Sequence, residues 1–259
     1  MDTMRRQFSD AHIARTVFIL TAVVFSVYGV SRVNTYLISG YDLGIFDQAV
    51  RHYAHFEAPI VTLKGDGYNI WADHFHPIIA CWAPLYWLWD NIRVLVIGQA
   101  IVVASAAFPL WRFLRRHVTR TSWAKLFLVM ALFGWPIQCA IDFDVHEIAF
   151  AIPLLAWIID AVDRRRDTTL LVCSALLLLV REDMGIIVAL TGLLRLFLRR
   201  GASPRCHPAE GRISATQKRW TISLALILVG ITMFILTTTV IIPHFSGGGV
   251  SLLGLPRTW

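Results

Sequence analysis

The 259 residues are 56% hydrophobic and 16% charged, with a mean hydropathy of +0.60. That much apolar side chain excludes an ordinary soluble globule of this length and makes membrane lipid the first partner. The net charge of +7 does not point to nucleic acid, because the cations sit in short connectors between apolar runs, where they act as topology signals.

In chain order, Arg5, Arg6 and Arg15 precede an apolar run at 16–31. No clear cleavage site follows it, so it is expected to remain as a first helix. Further apolar runs occupy 94–111, 126–140, 148–162, 168–180, 184–198 and 220–242, with a shorter one at 77–89. The fold class expected is an all-α polytopic bundle of about seven or eight membrane segments, one transmembrane domain over 1–259. The four cysteines, Cys81, Cys139, Cys173 and Cys206, follow no CxxC spacing and suggest neither a disulfide framework nor a zinc site.

The N-terminal arginines, Arg112–Lys125, Arg164–Arg166 and a basic loop at 199–219 with its flanks hold 18 of the 24 basic residues. The positive-inside rule puts these regions in the cytoplasm. The connectors 32–76, 141–147, 181–183 and 243–259 then face outward, with ten of the 17 acidic residues and six of the nine histidines. Acidic residues contribute little to topology, so their clustering asks for a separate explanation. One parity problem arises, since an outward residue 76 and a cytoplasmic residue 112 require an odd number of crossings. Either 77–89 enters and returns, or 77–111 is one long bent helix.

The long first outer loop, 32–76, is a candidate functional element. Leu43, Phe46, Val50 and Tyr53 recur at helical spacing opposite Asp47, Arg51 and His55, which predicts an amphipathic surface helix over 42–55. Asp42 suits an N-cap as well as a chemical role, and Asp47 a surface ion pair with Arg51. Farther on comes Asp73-His74-Phe75-His76-Pro77. If these residues are extended, His74 and His76 share a side, which suits a metal or an anion at a helix start. The second connector holds Asp142, Asp144, His146 and Glu147. The third, Arg181-Glu182-Asp183, lies between apolar runs where ionisable groups are costly, so pairing or function is expected.

These four motifs, with Tyr41-Asp42-Leu43-Gly44-Ile45-Phe46-Asp47-Gln48 as the first, resemble the bacterial and archaeal predicted membrane proteins grouped as domain of unknown function 2079, over roughly residues 15–245. Arg181 stands where that family often has lysine, and Asp-Phe-Asp-Val-His-Glu replaces a tighter Asp-Phe-His-Glu, leaving open which aspartate is equivalent. Family members are usually longer, so a chain stopping at Trp259 looks truncated. Their architecture is similar to that of the C-type membrane glycosyltransferases, which use polyprenyl-phosphate sugars. The resemblance implies transfer of a sugar from such a donor to an acceptor on the non-cytoplasmic face of the cell membrane. It makes Asp42 the base, with Asp47 second. Asp73, His74, His76, Asp144, His146, Glu147, Arg181, Glu182 and Asp183 become substrate-binding candidates. His74, His76 and His146 are the candidate ligands of a divalent metal such as Mg2+ or Mn2+. The alternatives are an ion-coupled transporter using His146, Glu182 and Asp183, and a truncated chain without catalysis.

Overall fold

The computed structural model describes residues 2–198 and 209–246, with side chains for 10–198 and 217–246. Most of the basic loop 199–219, Cys206 and the run Gly247–Gly249 lie outside the described residues. Those described are helical, and their only extended pairing is an isolated bridge between Ile60 and Asn69. Four helices are long and apolar enough to cross a membrane: Asp10–Asn34, Arg93–His117, Thr121–Asp142 and Gln217–Phe245. Three shorter apolar helices, Pro77–Leu88, Asp167–Leu177 and Met184–Phe197, accompany them.

Proline positions set the helix boundaries. Asp2–Asn34 (α1) contains none and runs unbroken, whereas Arg93–Ala104 (α4) gives way to Ala107–His117 (α5) just before Pro109. Proline supplies no N–H and its ring crowds the carbonyl four residues back, here Ser105. Pro136 does the same where Thr121–Phe133 (α6) meets Trp135–Asp142 (α7). Pro153 falls in the first turn of Ala151–Arg164 (α8). Near the end, a π-helical turn at Thr237–Ile241 links Ala209–Leu236 (α11) to the short Ile242–Phe245 (α12), which carries Pro243.

The outer-loop helix expected over 42–55 is present as Gly40–Ala54 (α2), with Ser39 rather than Asp42 at the N-cap. Asp42 occupies its first turn, where a carboxylate favours the helix dipole. Leu43, Phe46 and Val50 are buried, but against protein: the apolar face of α2 packs into the main core with Ile79, Trp82 and Tyr86. Residues 77–111 are not one bent helix. Pro77–Trp82 is a 3-10 turn leading into Ala83–Leu88 (α3), and a new helix starts at Arg93, its N–H held by the Asn91 side chain at 3.0 Å. The piece 77–88 is tied to α2, since the Tyr86 hydroxyl donates to Asp47 at 2.6 Å and the Trp87 indole to the Ala54 carbonyl at 2.8 Å.

Asp167–Leu177 (α9) and Met184–Phe197 (α10) form a hairpin whose tip is 178–183. Helix α10 lies on α11 through small residues, with Gly185 facing Gly230 and Gly192 facing Ser223. Side chains are small there because the backbones meet.

The charges separate to the two ends of the bundle. At one end Arg115 meets Asp10 at 3.2 Å, Arg116 meets Asp160 at 2.6 Å and Asp163 at 2.7 Å, and Arg195 pairs with Asp167. The other end gathers α2, the turns before Pro77, the connector 143–146 and the hairpin tip. Most of the candidate residues lie there.

Candidate functional site

The site is built from four chain segments held by local backbone features. Asp144 adopts a left-handed conformation, φ 83°, which turns the connector after α7 back into the bundle. Its carbonyl accepts from the Gln99 side chain at 2.8 Å, and the His146 N–H donates to the Gln99 oxygen at 2.8 Å. Gln99 is 3% exposed, so one buried amide of α4 clamps the connector. Gln99→Leu would orphan both backbone groups and is expected to cost about 1–3 kcal/mol, read as a lower thermal midpoint in detergent. An unchanged midpoint would remove Gln99 from this role.

Arg32, at the end of α1, reaches the same connector. It lies 3.4 Å from the Asp142 carboxylate and 3.8 Å from that of Asp144, and donates to the Leu37 carbonyl at 2.9 Å. Asp144 also accepts the Ser39 N–H at 3.3 Å, which joins the connector to the start of α2. Its second oxygen is buried without a partner. Burial pushes the Asp144 carboxyl above its ordinary range, and the nearby charge of Asp42 adds to this. Asp42 thus stands within electrostatic reach of Asp144 and also of His146.

The hairpin tip meets the turns before Pro77. Nδ1 of His74 hydrogen-bonds Glu182 at 2.8 Å, and the Phe75 N–H donates to the other Glu182 oxygen at 3.1 Å. Arg181 pairs with Asp183 at 2.6 Å and approaches the buried carboxyl of Glu147 at 3.7 Å. Burial opposes the Glu182 carboxylate, but the bonds from His74 and the backbone outweigh it and hold Glu182 below its usual range.

Three histidines meet there, one raised and two lowered. The Glu182 bond raises His74, whereas burial lowers His76 to about 4 and also lowers His146. Phe46 lies between the two lowered rings, 5.7 Å from His76 and 5.4 Å from His146. The His74–Glu182 pair contributes its full stabilisation between about pH 4.5 and 6.5. That contribution is lost as pH rises through the raised His74 value or falls through the lowered Glu182 value. Glu182→Gln, which still accepts the Phe75 N–H, is expected to lose about 1 kcal/mol near pH 6, limited by the exposure of His74. The loss should shrink in thermal unfolding once the pH passes the raised His74 value; a loss equal at every pH would contradict the ionic pairing.

Two candidates stand apart. Asp47 faces away from the cluster, taking Arg51 at 2.9 Å and the Tyr86 hydroxyl. Asp73 pairs with Lys64 at the rim. Asp73 is in the helical region, φ −91° and ψ −62°, rather than extended. His74 turns to Glu182, while His76 is buried beside Phe46. Among the described residues, no three His, Cys, Asp or Glu side chains are placed to hold a metal ion. The donors do not fit a divalent cation, since Glu147 turns to Arg181 and Asp144 to Arg32 and Ser39.

Sequence reasoning missed Arg32 and Gln99, and took Phe46 only as part of an apolar helix face. The first two had a signal: a cation closing the first apolar run, and an amide inside the run 94–111 where a polar group needs a reason.

No curated protein and no solved structure matches this chain. A family model described as predicted membrane protein (DUF2079) matches residues 32–254, which include all four motifs of the site. The chain therefore belongs to that family of predicted membrane proteins.

Proposed function

We propose that this chain is a glycosyltransferase of the membrane, moving a sugar from a polyprenyl-phosphate carrier to an acceptor on the side opposite its basic connectors. One observation carries the reading: Asp42, Asp144, His146, Glu147, Arg181, Glu182 and His74, drawn from four segments, form one electrostatically linked cluster at the acidic end. The topology that fits it has seven crossings, the four long helices with 147–164, α9 and α10, while 77–88 stays on the outer side. At about 1.5 Å per residue the 11 residues of α9 span only about 17 Å. The hairpin tip carrying Arg181 and Glu182 is then recessed below the outer surface, where a lipid phosphate would meet it.

In the reaction, the Asp42 carboxylate accepts the proton of the acceptor hydroxyl as its oxygen bonds to the anomeric carbon. The bond from that carbon to the phosphate oxygen breaks, and the electron pair leaves with the lipid phosphate. Arg181 and the protonated His74 stabilise the charge developing on that phosphate. Glu147 positions Arg181, and Asp144, held by Arg32 and Ser39, positions the connector beside Asp42.

The test is purified protein in proteoliposomes given radiolabelled polyprenyl-phosphate hexoses and pentoses with sugar or lipid acceptors. Release of lipid phosphate with label in the acceptor is expected. Absence of transfer with every donor, from protein that remains folded, would overturn the reading.

A further inference from the structure

Two cavities reach the basic end. The larger, of about 700 Å3, runs along α8 from Ile78, Cys81 and Phe150 to Arg112 and Arg166, with Leu154 and Trp157 on its wall. Phe150 and Asp160 are ten residues apart on this element, about 15 Å, half the thickness of a bilayer core of about 30 Å. A second cavity of about 610 Å3 lies between α1, α5 and α8, includes Arg15, and shares Arg112 and Trp157 with the first. The Arg112 guanidinium rests over the Trp157 ring at 5.1 Å and lies 3.5 Å from Asp160. Asp160 is already engaged by Arg116 at 2.6 Å. Arg116 also has Asp163 at 2.7 Å, whereas among the described residues Arg112 has only its longer contact to the shared Asp160. Arg15 and Arg166 have no carboxylate partner among the described residues.

An apolar trough half a membrane long, ending in surplus guanidiniums where the two cavities join, has the form of an amphiphile site. Basic pockets between membrane helices favour anionic headgroups, and an apolar wall of this length favours an acyl chain. We propose that this junction binds one anionic phospholipid, its phosphate at Arg112 and Arg166 and an acyl chain along α8 in the larger cavity. The phosphate end of the site lies opposite the acidic cluster, and the proposal does not depend on the glycosyltransferase reading.

The test is native mass spectrometry of the purified full chain with phosphatidylglycerol and phosphatidylcholine of identical chains. Wild type is expected to prefer phosphatidylglycerol, and each arginine lost should cut that preference about fivefold. Arg166→Gln, an unpaired position, gives a single step, and Arg112→Gln/Arg166→Gln leaves almost no preference. Ser105→Trp, which fills the larger cavity, should weaken both lipids together. Glycerol phosphate, which has no chains, should not compete. Equal binding of the two lipids by wild type, a preference unchanged in Arg166→Gln, or displacement by glycerol phosphate would each overturn the proposal. The Arg166→Gln result stands even if the double variant fails to fold.

Discussion

Asp42→Asn is expected to lower sugar transfer by about 10²–10⁴-fold, the contribution typical of a positioned general base, with the protein still folded. Asp42 is half-buried in the first turn of α2 and makes no side-chain hydrogen bond or ion pair among the described residues. The amide keeps the shape and removes the proton acceptor. Its structural cost is limited to the helix-dipole interaction of a first-turn carboxylate, about 0.3–1 kcal/mol. Asp47→Asn is the matched control on the same helix. Asp47 is committed to Arg51 and Tyr86, so its loss should lower the thermal midpoint while transfer per folded molecule persists. Initial rates from labelled donor, normalised to monodisperse protein, separate the two. Equal rates for wild type and Asp42→Asn would remove Asp42 as the base.

Gly230→Ala is expected to destabilise the protein by about 1–3 kcal/mol, the usual cost of overpacking. A Cβ at Gly230 would stand 2.4 Å from the Gly185 carbonyl oxygen and 2.7 Å from the Ala189 nitrogen. Both are backbone atoms of α10, so no side-chain rotation relieves the clash and the two helices must separate. Because α10 begins directly after Asp183, the displacement should also weaken the Arg181 and Glu182 contacts. Gly40→Ala is the contrast, since nothing lies within 4 Å of a Cβ there. It should leave the stability within about 0.5 kcal/mol of wild type. Equal stability of the two variants would contradict the close helix crossing.

The apolar runs and the separation of charge were legible in the sequence, as was α2 from the spacing of Leu43, Phe46 and Val50. Apolar periodicity, however, shows which face is buried but not what covers it, and α2 packs on protein at Trp82 and Tyr86. The reading of 77–111 depended on Asn91 capping a new helix and on Tyr86 and Trp87 turning to α2, contacts between distant segments. Within the acidic clusters, spacing did reveal the Asp47–Arg51 pair, a local i,i+4 contact. It could not reveal that Glu182 finds His74 or that Glu147 faces Arg181, because those partners meet only when the hairpin tip docks. The shared side expected for His74 and His76 failed for a backbone reason, the helical conformation of Asp73.

The most direct test of the acidic cluster as the sugar site is photo-crosslinking in membranes with a polyprenyl-phosphate sugar whose photoreactive group is on the sugar ring. Labelled peptides are expected to come from the start of α2, the 142–147 connector and the 180–185 tip, with labelling competed by unmodified donor. Labelling confined to the basic end, or spread evenly over lipid-facing helices without competition, would contradict a sugar site at that cluster.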